Sequence, residues 1–87
     1  MKQYMVIERF KPGCVEAVYE RLSQKGRMLP PGLHFVSSWV NKDLGICYQL
    51  MKTDDAQLFS AWTHRWNDLI EFDIVPVDGP SQGHENA

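Results

Sequence analysis

Hydrophobic residues recur with two different periods along this chain, and each period predicts a different kind of element. Compact runs rich in β-branched and aromatic residues predict strands over residues 2–10, 33–40, 46–52 and 72–77. Apolar residues at the i, i+3, i+4, i+7 spacing predict one helix over residues 14–25 and a second that opens at residues 53–55. The predicted order is therefore strand, helix, strand, strand, helix, strand.

The ends of both helices carry recognisable signals. In the first helix the apolar stripe consists of Val15, Val18, Tyr19 and Leu22. Gly26 follows that stripe and is a typical helix stop. In the second helix Asp54 as N-cap, with Gln57 three residues later, resembles a capping box. A heavy aromatic stripe then continues this helix towards Leu69.

The connections are equally distinct in composition. Residues 26–32 are rich in Pro and Gly and predict an ordered loop, because Met28 and Leu29 within it need cover. Residues 41–45 predict a hairpin turn in which Gly45 supplies the positive φ. Pro76 cannot donate to a sheet ladder, so the last strand should end at an edge. Residues 78–87 are polar and aperiodic and predict a flexible tail.

This element order is the split β-α-β, or ferredoxin-like, plan: an α+β fold with a four-stranded antiparallel sheet and two helices on one face. The strands nevertheless have almost no polar face, whereas a half-solvated strand should alternate. Two helices cover only one side of the sheet, so we expect the other side to meet a second copy of the chain. That seam should contain some of Met5, Ile7, His34, Val36 and Cys47, or else the opposite alternating set.

Six segments of the chain carry a resemblance to a known family. They are residues 5–10, 26–30, 32–33, 38–40, 49–51 and 66–69. The most distinctive is the Gly-Arg-Met-Leu-Pro sequence at residues 26–30. Together they resemble, over roughly residues 1–77, a bacterial family catalogued as domain of unknown function 3303. The resemblance implies similarity to the dimeric α/β-barrel superfamily, in which two sheets pack face to face with the helices outside. That superfamily includes cofactor-independent monooxygenases, haem-degrading enzymes, isomerases and ligand sensors, so it implies no single activity.

Composition narrows the function classes. A length of 87 residues predicts one domain, over residues 1–77. A net charge of −2 without a basic stripe argues against nucleic-acid binding. No apolar run is long enough to span a bilayer, and Lys2 leads directly into a strand pattern rather than a signal peptide. Two lone thiols, Cys14 and Cys47, fit a reducing cytoplasm.

Polar residues within apolar strands are the first candidates for chemistry. Glu8, Gln49 and Asp73 are of this kind, and the fold should bring Glu8 close to Gln49. A carboxyl group in apolar surroundings tends towards a raised pKa and can act as a general acid or base. We therefore predict Glu8 as a candidate catalytic residue. The alternative is that Glu8 pairs with Arg9, Lys52 or a cation of a second subunit, or faces solvent.

Arg27 and the tryptophans are candidate ligand-binding residues, together with Gln49. Arg27 lies just beyond a helix end, where its fork of donors could hold a carboxylate or phosphate. Trp39, Trp62 and Trp66 could line a pocket for a planar ring, and the last two share a helix face. The alternative is structural: a stiff loop that caps the core, and tryptophans that simply fill it.

Other residues offer weaker signals. His34 should point to the seam or to a cavity, His64 should be solvated, and His84 lies in the tail. No pair has metal-ligand spacing, so neither a metal nor a cofactor is expected. Cys14 sits near a helix start, which can lower a thiol pKa and would suit a redox sensor, but an inert thiol is the simpler interpretation.

Two functional readings follow. The first is a homodimeric small-molecule-binding module with a pocket between helices and sheet. The second is a cofactor-independent enzyme of the monooxygenase or isomerase kind, with Glu8 in an aromatic pocket. An RNA-recognition domain is excluded by the third strand, which lacks the basic-Gly-aromatic signature. A heavy-metal module is excluded because Cys14 has no C-x-x-C partner.

Overall fold

Strands and helices follow one another in the predicted order in the computed structural model, which describes residues 1–78. The elements are β1 (Lys2–Phe10), α1 (Val15–Lys25), β2 (Leu33–Asn41), β3 (Ile46–Thr53), α2 (Leu58–His64) and β4 (Ile70–Val77). The prediction of an α+β fold with the ferredoxin-like order is confirmed. Beyond Asp78, the tail predicted over residues 78–87 lies outside the described residues.

The four strands form a single antiparallel sheet in the order β2-β3-β1-β4. The two central strands, β1 and β3, are those that carry Glu8 and Gln49. Pro76 lies on β4, an edge strand, as predicted, and pairs in register with Tyr4. An edge position tolerates a residue without a backbone N–H, because only one side of the strand needs ladder bonds.

The pairing register divides the sheet into a covered face, against which the helices pack, and an open face. On β1 the buried residues are Tyr4, Val6 and Glu8, which alternate with Met5 and Ile7 on the open face. On β3 the buried residues are Gln49, Met51 and Thr53, so Cys47 also belongs to the covered face. The expectation that Cys47 shares a face with Met5 and Ile7 is therefore wrong, because strand alternation groups it with Gln49.

The core forms where the covered face meets the two helices and the segment after α2. Its buried hydrophobic residues are Tyr4, Val6, Val18, Leu33, Met51, Phe59, Trp62, Trp66 and Ile70. Met28 and Leu29 pack against this cluster from the loop after α1, as their apolar character predicts. Phe59 stacks edge-on against Tyr4, with the ring centroids 4.9 Å apart.

The first helix begins and ends close to its predicted bounds. Gly26 adopts a φ of 66°, and its N–H donates to the Leu22 carbonyl at 2.8 Å, which ends α1.

No helix within residues 1–78 has the length and apolar character needed to cross a bilayer.

The second helix differs from the prediction at both ends. The aromatic stripe predicts a helix as far as Leu69, but the helix ends at His64, so Trp66 and Leu69 lie in the turn that follows it and Trp66 does not share a helix face with Trp62.

The helix begins at Leu58, with Gln57 as N-cap and no side-chain capping bond, so the predicted capping box on Asp54 is wrong. Asp55 instead accepts a hydrogen bond from the Gln57 backbone N–H at 3.0 Å, and the Asp55 N–H donates to Thr53 Oγ1 at 3.1 Å. These local bonds hold the segment as a turn, because short polar side chains compete with the helix for backbone partners.

Candidate functional site

A cavity of about 230 Å³ lies between the covered face of the sheet and the helical layer. Its walls are mainly apolar and come from both layers. The lining residues are Glu8, Phe10, Val18, Tyr19, Leu22, Arg27, Ser38, Trp39, Val40, Cys47, Gln49, Trp62, Trp66 and Ile70. The predicted catalytic residue Glu8 and all five predicted ligand-binding residues belong to this lining, whereas Asp73, the third polar strand residue considered, does not.

Glu8 and Gln49 form a buried polar pair on the two central strands. Glu8 is 5% exposed and Gln49 is 7% exposed. The Gln49 Nε2 amide donates a hydrogen bond of 2.5 Å to Glu8 Oε2. The proximity predicted for these two residues is confirmed. Glu8 does not pair with Arg9, since Arg9 forms an ion pair with Asp73, and the register places that pair on the open face.

Burial changes the acidity of Glu8. Removal of the carboxyl from water raises its pKa from 4.5 to about 7, against the opposing effects of the Gln49 hydrogen bond and the Arg27 charge. Burial disfavours the ionised form because a low-dielectric surrounding solvates charge poorly. Glu8 is therefore a proton donor and acceptor poised near neutral pH, at the wall of a cavity.

Arg27 is held in place beside this pair. Its Nε donates to Gln49 Oε1 at 3.3 Å, and its guanidinium carbon lies 3.7 Å from the centroid of the Phe35 ring. Stacking of a guanidinium on an aromatic face is favourable and restricts its orientation. Gln49 thus bridges an arginine and a carboxyl group, accepting from one and donating to the other.

The two helical-layer tryptophans are fixed through the backbone of Arg27. Trp62 Nε1 donates to the Arg27 carbonyl at 2.9 Å, and Trp66 Nε1 donates to the same oxygen at 3.0 Å. Both rings are buried in the core and also line the cavity. The structural and the ligand-contact interpretations of these residues are therefore compatible, because the rings fill the core and still present one side to the cavity.

Trp39 differs from the other two tryptophans. It lies on the edge strand β2, pairs in register with Tyr48, and is 53% exposed. Tyr48 and its other partner, Ile7, belong to the open face, so the Trp39 side chain projects mainly to that side. All three tryptophans thus line the cavity, but Trp39 does so from an exposed position on the edge strand.

Several residues considered from the sequence lie away from the cavity. Asp73 is exposed. His34 is also exposed and pairs in register with Lys52 on the open face. His64 is exposed on α2, as predicted. Cys14 is the N-cap residue of α1, and His84 lies outside the described residues.

Cys47 and Phe35 are the main residues that sequence reasoning missed. Cys47 pairs in register with Glu8 and lines the cavity. Burial and the neighbouring Glu8 raise the pKa of its thiol to about 11, so it is a neutral thiol at physiological pH. Its place in the cavity wall could have been predicted from the sequence, because Cys47 and Gln49 are two residues apart and so lie on the same face of the strand. Phe35 gave no comparable signal, because its role depends on the fold of the Arg27 loop.

The arrangement combines one cation, one carboxyl of raised pKa and one amide at the wall of an aromatic cavity. It can hold a small organic molecule through Arg27 and can exchange a proton through Glu8. Within residues 1–78 there is no group of three or more His, Cys, Asp or Glu side chains that could hold a metal ion.

Comparison with known families gives one match, over residues 2–82, to a family described as a domain of unknown function, DUF3303. Neither the curated proteins nor the solved structures give a match.

Proposed function

Because the chain belongs to the family DUF3303, whose description assigns no activity, we propose a function from the cavity itself: the protein binds a small organic molecule between its helices and its sheet. The observation that carries this proposal is the polar group buried at the cavity wall. Glu8, Gln49 and Arg27 are joined in one hydrogen-bonded series.

The energetics favour a binding role over a purely structural one. Burial of a carboxyl group is costly unless its oxygens are satisfied. Glu8 Oε2 accepts from Gln49, but Oε1 has no hydrogen-bond partner among residues 1–78. An apolar pair at the same sheet positions would avoid this cost. Costly polar groups at the wall of a cavity are typical of sites that select a ligand.

We also propose that the protein is a homodimer that packs through its open face. Within that face, the middle rows of the register contain Met5, Ile7, Trp39, Tyr48, Leu50 and Val75, with Ser37 and Asp73 on the two edge strands, and the outer rows contain His34, Lys52, Arg9 and Glu71. An apolar centre with a polar rim is the usual anatomy of a protein interface. We take the occupant to be a second copy of the chain, because most soluble homo-oligomers are dimers in which the same surface of each copy packs about a twofold axis.

A second candidate function is proton-transfer catalysis without a cofactor, of the isomerase or monooxygenase kind. The raised pKa of Glu8, about 7, favours it, since a general base works best near the operating pH. In this interpretation Glu8 removes a proton next to a carbonyl group, and Arg27 stabilises the oxygen that becomes negative.

We also propose that the protein acts in the reducing cytoplasm, and its two free thiols, Cys14 and Cys47, support this location.

Native mass spectrometry of the freshly purified protein tests both parts of the proposal. The expected spectrum shows twice the 10.1 kDa chain mass, with a further mass increment that disappears on denaturation. A monomer at micromolar concentration would contradict the dimer. A dimer without retained or added ligand, even after incubation with a library of small aromatic metabolites, would contradict the binding function.

The Glu8→Gln variant separates binding from catalysis. Glutamine keeps the size and the hydrogen bond with Gln49 but cannot transfer a proton. If the protein is a binding module, the variant should still retain its ligand. If it is an enzyme, the variant should bind substrate and lose turnover by at least about a hundredfold.

A further inference from the structure

The hydrogen-bonding capacity of Arg27 is only partly used. Its Nε donates to Gln49, while neither terminal nitrogen has a hydrogen-bond or ion-pair partner within residues 1–78. The other guanidinium groups of the chain differ in this respect. Arg21 forms a two-pronged contact with Asp68, and Arg9 pairs with Asp73. Arg27 therefore presents unpaired donors at the wall of the cavity.

Those donors are oriented in advance. Phe35 holds one face of the guanidinium plane, and Gln49 holds the Nε edge. The Arg27 backbone is anchored by two indole N–H groups. A guanidinium with both terminal nitrogens free has the geometry to bind the two oxygens of a carboxylate. Little side-chain entropy remains to be lost when such an anion binds.

The neighbouring acid does not neutralise this charge. Glu8 bonds to Gln49 rather than to Arg27, and burial keeps it partly protonated at neutral pH. A protonated Glu8 can donate a hydrogen bond from the oxygen that has no partner. The polar wall therefore carries a net attraction for an anion.

The rest of the cavity sets the size and shape of that anion. Its walls include the aromatic rings of Phe10, Tyr19, Trp62 and Trp66. The volume of about 230 Å³ compares with roughly 150 Å³ for an apolar cavity that holds benzene. One six-membered ring with a short substituent fills such a space.

We propose that the cavity takes a small monocyclic carboxylic acid, with its carboxylate on the free donors of Arg27 and its ring between the aromatic walls. The inference rests on the proposed binding function and names the ligand class. Benzoate is the simplest probe of this class, and benzamide is its neutral counterpart of nearly the same shape.

The test measures the affinities of benzoate and benzamide by NMR titration of the full chain. The wild-type protein should bind benzoate about tenfold or more tightly than benzamide, the range expected of a charged two-pronged contact. Arg27→Met should abolish this preference and retain benzamide binding. Arg27→Lys keeps the charge without the fork and should retain only part of the preference. Lys25→Met removes the same charge from an exposed site on α1 and should leave the preference intact.

The contrary outcomes separate this inference from the broader proposal. Equal or tighter binding of benzamide to the wild-type protein would overturn the carboxylate class and leave the binding function standing. A preference that survives in Arg27→Met would overturn the role of Arg27. If Arg27→Met does not fold, a preference for benzoate that is undiminished in Arg27→Lys would also overturn the role of the Arg27 fork. If neither probe binds at millimolar concentration, the inference of a small monocyclic acid is overturned, whereas only the mass-spectrometric result described above overturns the broader binding function.

Discussion

At the scale of single residues, the properties of the cavity depend on what burial does to Glu8. Its surroundings offer one amide donor and a cation that is not in direct contact, and together these do not restore the solvation that water would provide. The same burial keeps the adjacent Cys47 thiol neutral. The result is an acid with a pKa of about 7, whose protonation changes in the physiological range, beside a thiol that stays neutral there.

The first prediction concerns stability. The folded pKa of Glu8 is raised from 4.5 to about 7, so its stabilising contribution is complete below pH 4.5 and is lost as pH rises through about 7. Glu8→Gln cannot ionise and should be more stable than the wild-type protein at pH 8, by up to about 3 kcal/mol, but not at pH 4.5. Urea unfolding at fixed protein concentration measures this difference.

Glu16→Gln makes the same chemical change at an exposed position on α1 and serves as the control. A stability difference between Glu8→Gln and wild type that does not grow with pH would show that Glu8 ionises as freely in the folded chain as in the unfolded one.

The second prediction concerns the pH dependence of ligand affinity. The titratable and charged side chains that line the cavity are Glu8, Tyr19, Arg27 and Cys47. Ionisation of Glu8 places a negative charge near a bound carboxylate. The dissociation constant of benzoate should therefore rise roughly tenfold between pH 6 and pH 8 if only the protonated form of Glu8 binds the anion. Titrations at several pH values measure it.

In Glu8→Gln the benzoate affinity should be constant over that range, and benzamide should show a weaker dependence in the wild-type protein. A dependence that persists in the variant would assign it to another group.

At the scale of elements, the segment from Gly26 to Gly32 determines the geometry of the cavity. Met28 adopts a positive φ of 58°, and this bend turns the Arg27 carbonyl towards the indole groups of α2 and the following turn. Arg65 donates to the Met28 carbonyl from the same direction. The backbone thus secures the loop, and the Arg27 side chain remains available to the cavity.

The sequence predicts the elements well because each depends on local periodicity and on turn residues such as Gly26 and Gly45. It predicts the proximity of Glu8 and Gln49 because both lie on central strands. It does not predict the bounds of α2, since Asp55 caps a turn instead of a helix and the aromatic spacing continues to Leu69 although the helix ends at His64. Nor does it predict that two indoles converge on one carbonyl, because that contact joins residues 35 and 39 positions apart.

The third prediction tests how the elements are joined. Thr53 is 1% exposed, and its hydroxyl donates to the Gly32 carbonyl at 2.8 Å while accepting from the Asp55 N–H. Thr53→Val keeps the shape and leaves both backbone groups without their partner. The free energy of unfolding should fall by about 1–3 kcal/mol, as chemical denaturation can measure.

Thr63→Val is the matched control, because the Thr63 hydroxyl makes a single longer bond of 3.4 Å to Ser60 at an exposed site. It should change stability by less than about 0.5 kcal/mol. Equal effects of the two substitutions would mean that the bonds of Thr53 contribute no more than those of a surface hydroxyl.

At the scale of the whole molecule, the sheet has one face in the core and one face that is apolar at its centre. Val75 is 44% exposed and Trp39 is 53% exposed on that side. A face-to-face dimer would remove this surface from water, which is the main driving force of such association. The proposed dimer and the cavity lie on opposite sides of the same four strands.

The fourth prediction follows from that proposal. Ile7→Lys places a charge at the centre of the open face, next to Asp73 in register, so the monomer fold should tolerate it. Sedimentation velocity should show a dimer for the wild-type protein and a monomer for this variant, with an unchanged far-UV circular dichroism spectrum. Leu44→Lys makes a similar change in the hairpin turn, where Leu44 is 66% exposed, and should remain dimeric. A dimer that persists in Ile7→Lys would place the interface elsewhere.

The alternation of β1 and β3 has a consequence for how such a chain can diverge among its relatives. Along β1, Glu8 faces the cavity while Ile7 and Arg9 face the other way, and along β3 Gln49 lies between Tyr48 and Leu50 in the same manner. Adjacent residues of one strand are therefore constrained by different surroundings, one by the cavity and the next by the open face. If the cavity binds a ligand as proposed, substitutions at every second position can change its ligand while the side chains on the opposite face of the sheet stay the same. Substitution rates along these strands should therefore oscillate with a period of two.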